Sequence, residues 1–103
     1  MARSTSLTLT ERTRVVASQK QLSAKLSGEA VILGLRDSVY YGLDGAGARI
    51  WDVAQRPCSL GTIAETISRE YDVAGDTALR DVLALAAELV ERGLLDVVPD
   101  PAA

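Results

Sequence analysis

The chain has 103 residues, of which 48% are hydrophobic and 24% charged, an ordinary balance for one soluble globular domain. Its formal net charge of −3 argues against a partner held through phosphates, because non-specific affinity for nucleic acid comes from clustered Lys and Arg. One cysteine, no histidine and no apolar run near the roughly 20 residues of a membrane span predict a cytoplasmic protein without a disulfide, a transmembrane helix or a usual zinc site.

Composition divides the chain into three parts. Residues 1–11 are rich in Ser and Thr, lack the apolar run of a signal peptide, and are expected to be a flexible segment. Residues 12–98 carry the predicted elements and form the expected domain. Residues 99–103 contain two prolines and are expected to be a flexible tail.

The first half of the domain is predicted to be extended. Residues 14–17 and the apolar run 30–35 have the length and composition of strands, and residues 39–43 form a third. Residues 36–38 fit a tight hairpin turn between the last two strands. Residues 18–28 are compatible either with an extension of the first strand or with a loop.

The second half is predicted to be helical. Asp44 is a candidate N-cap for a helix over residues 46–54, and Ser59 is a candidate cap for a second. The third and longest helix is expected over residues 76–92, ending at Gly93. A short extended segment follows it. The predicted order is therefore three strands followed by three helices.

The sequence shows no arrangement of residues that indicates catalysis. Without histidine the chain lacks the commonest general base and metal ligand. Cys58 precedes a predicted helix N-terminus, which favours a thiolate, but no histidine is present to activate it, so a packing or surface role is expected. The cluster of Gly42, Gly45 and Gly47 matches neither nucleotide-binding fingerprint. The sequence predicts no enzyme, no cofactor and no metal site.

The third helix is apolar over an unusually wide arc. At about 100° per residue the apolar positions cover roughly 160°, more than the roughly 100° that one core contact needs. One sector of this arc holds Ala78, Leu85 and Leu89. A second sector and the positions between the two hold Leu79, Leu83, Val90, Val82 and Ala86. Such a helix either packs against two elements of its own domain or leaves part of the arc for a partner.

The strand at residues 39–43 adds a second unusual feature. At the edge of a three-stranded meander it would present unpaired N–H and C=O groups, and it contains no proline, charge or other device that normally blunts an edge. An open edge beside an apolar helix face is the arrangement of β-augmentation, in which a guest peptide adds a strand.

Four segments of the chain resemble PqqD-like proteins. They are the run Val-Ile-Leu-Gly-Leu-Arg-Asp-Ser-Val-Tyr-Tyr-Gly-Leu-Asp at residues 31–44, Gly-Ala-Arg-Ile-Trp at 47–51, the helix start at 59–63, and the closing run at 81–95. Their order and spacing match the family over residues 12–98. The chain therefore resembles the RiPP recognition elements, and most of all the stand-alone version found in lasso peptide clusters.

This resemblance implies an α+β fold, a winged helix-turn-helix in which a three-stranded antiparallel sheet is followed by three helices. It implies a non-catalytic domain that binds the leader of a ribosomally made precursor, with a Tyr-x-x-Pro element, as a strand added to the third strand and against the third helix. The implied protein partners are a cysteine protease that removes the leader and an ATP-dependent cyclase.

The site residues follow from the resemblance and the helical wheel. The guest is expected to pair with the backbone near Val39, Tyr40 and Tyr41. The groove wall is expected to consist of Leu79, Val82, Leu83, Ala86 and Val90, with Arg80 and Asp81 at the rim. The alternative is the sector of Ala78, Leu85 and Leu89. Core positions are expected at Leu43, Ile50, Trp51, Ile63, Ile67 and Leu94.

Two other functions remain open from the sequence. Winged helices commonly bind DNA, but residues 62–70 of the second helix offer one basic and two acidic side chains, a poor match to a helix that reads bases. The other alternative is a structural subunit that stabilises a modifying enzyme without touching its substrate.

Overall fold

The computed structural model describes residues 8–99. Most of the predicted N-terminal segment at 1–11 and of the tail at 99–103 lies outside these residues. The elements in chain order are β1 (Arg14–Ala17), β2 (Gln21–Leu26), β3 (Glu29–Gly34), β4 (Tyr40–Asp44), α1 (Gly45–Val53), β5 (Cys58–Ser59), α2 (Leu60–Tyr71), α3 (Gly75–Glu91) and β6 (Leu95–Val98).

The three-stranded antiparallel sheet has the strand order β2-β3-β4. Its first strand, β2, lies within residues 18–28, which the sequence left open between a strand extension and a loop. Ser27 and Gly28 turn the chain into β3 with φ values of 44° and 83°, and two successive positive φ angles are typical of a tight hairpin. The segment is thus a strand of its own, followed by a turn.

The strand predicted at residues 14–17 is present as β1 but pairs elsewhere. It lies at the centre of a second small sheet with the order β5-β1-β6, in which all pairs are antiparallel. Its partner β6 is the extended segment predicted after the last helix, paired from Arg14↔Val98 to Ala17↔Leu95. This sheet joins the two ends of the domain and leaves the β2-β3-β4 sheet free to form the wing.

The helix boundaries follow local capping chemistry. Ser59 Oγ accepts a hydrogen bond of 3.1 Å from the backbone N–H of Thr62, which confirms the predicted cap of α2. Asp44 occupies the N-cap position of α1, but its side chain makes no capping bond. α3 begins one residue before the predicted start and ends before Gly93, whose φ of 77° suits glycine.

The core fills the space between the inner face of the β2-β3-β4 sheet and the three helices. Ile32 of β3 has no exposed surface, and Trp51 of α1 is buried, as its helical spacing predicted. On α3 the buried positions are Ala78, Val82, Ala86 and Leu89. The predicted α+β architecture of a three-stranded antiparallel sheet with three helices is confirmed, and it places β4 at a sheet edge.

Candidate functional site

Strand β4 has one hydrogen-bonded neighbour, β3, within the described part of the chain. The backbone N–H of Gly34 donates to the C=O of Val39 at 3.0 Å, in the register that continues along β3 and β4. Because bonding positions in an antiparallel pair recur at every second residue, the backbone of Tyr41 faces β3. The N–H and C=O groups of Tyr40 and Gly42 face away from it, at the free edge.

Of the three predicted backbone contacts, the structure places one at this edge. Val39 lies before the strand; its N–H donates to Asp37 Oδ1 at 3.1 Å, and its C=O is the hairpin acceptor described above. The backbone of Tyr41 is directed into the sheet. Tyr40 therefore has its backbone groups at the free edge, and Gly42 provides the next pair of free-edge groups.

The inner face of β4 meets the C-terminal end of α3. The guanidinium of Arg92 lies 5.0 Å from the ring centroid of Tyr41, and its Nη1 donates a hydrogen bond to the Tyr41 hydroxyl. This hydrogen bond raises the pKa of Arg92, and Glu88 lies 3.7 Å from the same guanidinium. A permanent positive charge is therefore held at one end of the contact between strand and helix.

Farther along β4 the contact with α3 is apolar. Leu43 and Leu85 are both half-buried and pack at the margin of the core. Gly47 of α1 lies between them: a Cβ atom there would be 3.6 Å from Leu43 Cδ2 and 3.9 Å from Leu85 Cδ2. We call Tyr41, Leu43, Gly47, Leu85 and Arg92 the β4–α3 seam. It runs beside the free edge, with apolar groups at one end and a cation at the other.

The groove wall predicted from the helical wheel lies on other faces of α3. Val82 and Ala86 are 0% exposed and belong to the core, so their side chains are not available to a guest. Leu79 lines a cavity of about 260 Å³ together with residues of α2 such as Ala64 and Ser68. Leu83 and Val90 share the flank of Leu79 by helical spacing. The structure therefore turns this flank away from β4.

The alternative sector is represented at β4 by a single residue. Ala78 and Leu89 are buried, and Leu85 is the member that lies, like Leu43, within 4 Å of a Cβ atom built at Gly47. The two predicted rim residues separate: Asp81 is exposed one turn before Leu85 on the same flank, whereas Arg80 points to the outer side of the helix.

From the sequence, Leu43 was expected in the core, Gly42 was noted only within a glycine cluster, and Arg92 was not predicted to be a site residue. No local signal in the sequence connects Tyr41 to Arg92, 51 residues away. The sequence also did not show which residues of β4 direct their N–H and C=O groups to the free edge, since this depends on the hydrogen bond that closes the hairpin.

The described residues offer little reactive chemistry. Within residues 8–99 no group of three or more His, Cys, Asp or Glu side chains is placed to hold a metal ion. Burial raises the pKa of the Cys58 thiol, opposite to the effect expected from its place before a helix. No helix in the same range is long and apolar enough to cross a membrane.

Comparison with solved structures gives two similar chains. TbiB1 in complex with the TbiA(beta) leader peptide is 32% identical in sequence, with a TM-score of 0.75 over 82% of this chain and 99% of that one. Lasso peptide synthetase B1 complexed with the leader peptide is 26% identical, with a TM-score of 0.70 over 82% of this chain and 98% of the other.

Comparison of the sequence itself gives a family. No curated protein matches the chain. The model of the family described as coenzyme PQQ synthesis protein D (PqqD) matches residues 29–95, which span β3 through the start of β6 and make up more than half of the chain. The resemblance seen in the sequence is confirmed, and this chain belongs to the PqqD family.

Proposed function

We propose that this protein is a non-catalytic recognition element that binds the leader segment of a ribosomally made precursor peptide as a strand added to β4. The observation that carries the proposal is the free edge of β4 beside the partly apolar β4–α3 seam. The proposal is supported by two similar structures, both of which are complexes with a leader peptide.

A guest strand would use the two kinds of group that this region offers. Its backbone would pair with the N–H and C=O groups of Tyr40 and Gly42 at the free edge. Because side chains alternate along a strand, every second guest residue would face inward, beside Leu43 and Leu85. The side chains between them would face outward, beside Tyr40.

The free-energy contributions of the two kinds of contact indicate which one selects the peptide. A typical hydrogen bond contributes about 0.5–1.5 kcal/mol net, and any peptide backbone supplies it equally. Full burial of a Leu, Ile, Val or Phe side chain contributes about 1.5–3 kcal/mol and depends on the sequence of the guest. We therefore assign affinity to both contacts and specificity mainly to the β4–α3 seam, with Arg92 favouring an acidic or aromatic group at its end.

The bound leader would then be delivered to enzymes. We propose that the precursor is that of a lasso peptide, and that a cysteine protease and an ATP-dependent cyclase act on it. Holding the leader raises the effective concentration of the attached core peptide at these enzymes, so the protein accelerates processing without chemistry of its own.

The test is a titration of the purified protein with a fluorescent leader peptide from the precursor gene of the same cluster. Saturable binding of the leader, but not of a scrambled peptide of equal composition, is expected. A parallel titration with a labelled DNA duplex tests the alternative that the protein is a DNA-binding regulator. Absence of leader binding would move the function to a structural subunit, and saturable duplex binding in its place would assign a regulator.

A further inference from the structure

A cleft of about 490 Å³ opens at the end of the β4–α3 seam that Arg92 occupies. Its walls come from the segment between β1 and β2, the hairpin between β3 and β4, and the turn after α3. Arg92 belongs to both surfaces, because it lines the cleft and also donates a hydrogen bond to the hydroxyl of Tyr41 on β4. The cleft therefore continues the seam beyond the start of β4, next to the hairpin.

The cleft has more positive than negative charge, although the chain as a whole has a net charge of −3. Three cationic and two acidic side chains line it: Lys20, Arg36, Arg92, Asp37 and Asp96. One oxygen of Asp37 already accepts a hydrogen bond of 3.1 Å from the N–H of Val39. None of the ion pairs within residues 8–99 joins these cations to these carboxylates. The positive charge of the cleft is therefore only partly compensated by its own side chains.

Arg36 is held at the end of α3 by a close contact with Gly93. A Cβ atom at position 93 would lie 3.1 Å from Arg36 Nη2 and 3.2 Å from Arg36 Cζ, so a larger residue there would shift the guanidinium. The carbonyl end of a helix has a partial negative charge, which favours a cation at this place. In the described part of the chain Arg36 forms no ion pair, and the arginines whose side chains donate hydrogen bonds there are Arg49 and Arg92. Among those residues the N–H groups of Arg36 thus have no acceptor, and they are available to a ligand.

A guanidinium with unused donors is suited to a carboxylate, which accepts two parallel N–H···O hydrogen bonds from its planar fork. Arg36 contacts Gly93, the residue that follows Arg92, so a carboxylate in the cleft would be near two positive charges. Both arginines are exposed, and solvent screening makes the attraction of such groups for a free anion weak. A carboxylate on a strand already bound at β4 has a much higher effective concentration at the cleft. The guest peptide is therefore the favoured source of the anion.

The register at β4 indicates which guest residue would carry the carboxylate. Opposite residues of paired strands direct their side chains to the same face, so the guest residue opposite Tyr41 faces inward, toward Arg92. The next inward position lies opposite Val39, about 7 Å farther along at roughly 3.3 Å per residue, and thus beside the hairpin that carries Arg36. A glutamate or aspartate at this guest position would reach the cleft.

We propose that the cleft is a specificity subsite for an acidic residue of the leader, whose carboxylate is bound by Arg36 with Arg92 and Lys20 around it. This inference rests on the proposed function and deepens it. Apolar guest residues lie along the seam, and the acidic residue lies beyond them, beside the hairpin. The subsite adds to the seam a requirement for one negative charge at one end of the guest.

The experiment uses the fluorescent leader peptide and variants of it in which each acidic residue in turn is replaced by its amide, glutamine or asparagine. In wild-type protein one of these replacements is expected to lower the affinity about tenfold, since a bidentate, charge-assisted pair is lost. Arg36→Ala should bind the acidic and the amide peptide equally well. Arg69→Ala removes the same charge from an exposed position on α2 and is the matched control, which should keep the tenfold preference.

A charge exchange separates recognition by Arg36 from a structural role. Arg36→Glu should bind a leader with lysine at the sensitive position better than the natural leader, and wild type should show the opposite order. Circular dichroism checks that each variant folds. A residue that only supports the fold would weaken the binding of both peptides equally.

The outcomes separate the subsite from the proposed function. A natural leader without an acidic residue, or a preference for the acidic peptide that Arg36→Ala retains, overturns the subsite alone. Titration with inorganic phosphate tests a free anion as the occupant. Saturable phosphate binding that depends on Arg36, with leader binding indifferent to every amide replacement, assigns the cleft to a free anion and also overturns the subsite. Failure of wild type to bind any leader peptide overturns the proposed function, and the subsite with it.

Discussion

The two edges of the β2-β3-β4 sheet offer similar backbone groups in different surroundings. Strand β4 has Tyr41 and Leu43 on its inner face and meets α3 there, whereas the inner positions of β2 are Gln21, Ser23 and Lys25. An inward-pointing charge is one of the ways by which proteins prevent pairing at an edge. An open edge is therefore insufficient for selective strand addition, and the apolar seam beside it distinguishes β4 from β2.

Lys25 also ties the β2 edge to the helices. Its Nζ lies 3.2 Å from Asp52 Oδ1 on α1, and Asp52 Oδ2 accepts from Arg49 at 2.8 Å. Arg49 in turn binds both carboxylate oxygens of Glu70 on α2, at 2.8 and 2.9 Å. These ion pairs connect the wing to α1 and α2, but all of their side chains are partly exposed, so they stabilise this side only slightly.

The largest expected effect comes from a charge placed in the β4–α3 seam. Leu85→Glu would leave a carboxylate unpaired beside the guest, and we expect leader affinity to fall roughly 100-fold. Leu83→Glu is the matched change on the opposite flank of α3, half-buried in the same way, and it should bind leader within about threefold of wild type.

Fluorescence titration of both variants, with circular dichroism to check folding, measures the difference. If Leu83→Glu loses binding and Leu85→Glu keeps it, the guest lies on the flank of Leu79, Leu83 and Val90 that the helical wheel first indicated. Equal losses in two folded variants would mean that neither flank alone forms the site.

A proline at each edge compares the two edges directly. Tyr40→Pro removes an N–H that faces the free edge of β4, and with it at least one hydrogen bond to the guest, so a loss of roughly 5- to 30-fold in leader affinity is expected. On β2 the N–H of Leu35 donates to the C=O of Lys20, so the backbone groups of the even-numbered residues of β2 face β3. The N–H of Ser23 therefore faces away from β3, at the other edge of the sheet.

Ser23→Pro is therefore the matched substitution on the opposite edge, and leader affinity should not change. Tyr40→Phe removes the hydroxyl of the side chain but keeps the backbone N–H, and it is expected to bind the leader as wild type does. Isothermal titration calorimetry on the four proteins provides the measurement. Equal weakening by the two prolines would show that the guest does not discriminate between the edges.

Much of the fold was predictable because its signals are local. The Ser59 cap, the stop at Gly93 and the strand at residues 14–17 each depend on a few neighbouring residues. The pairing partners were not predictable, since β1 joins β6, some 80 residues later, and a strand of either sheet has the same local pattern. The residues of β2 were left open between a strand extension and a loop because five of the six are exposed, so burial imposed no clear alternation on their sequence.

For the candidate site, the strand and the helix that form it were predictable from the sequence, but the side of the helix that lies beside the strand was not. An edge strand without blunting residues and a helix with a wide apolar arc both indicated β4 and α3. The apolar arc of α3 has one buried stripe with a half-buried flank on either side, and the helical periodicity of the sequence does not distinguish the two flanks. Only the contact of Tyr41 with Arg92, together with Gly47 between Leu43 and Leu85, identifies the flank beside β4.

The smallest expected effect concerns the charges that hold the β2 side. The hydrogen bonds from Arg49 lower the pKa of Glu70 below its ordinary value of 4.5, so the ionised carboxylate stabilises the folded state above that pH. This contribution is lost as the pH falls through the lowered pKa of the folded protein. Glu70→Gln should therefore lower the melting temperature slightly at pH 7, and the difference from wild type should shrink as the pH is lowered below 4.5. Because Glu70 is exposed and lies on α2, leader affinity at pH 7 should be the same in both proteins.

A variant that melts like wild type at pH 7 would show that solvent already screens the pair. A variant that loses leader affinity would show that the α1–α2 side, held by these charges, also positions the β4–α3 seam, and the distinction between the β2 side and the β4 side of the wing would have to be abandoned.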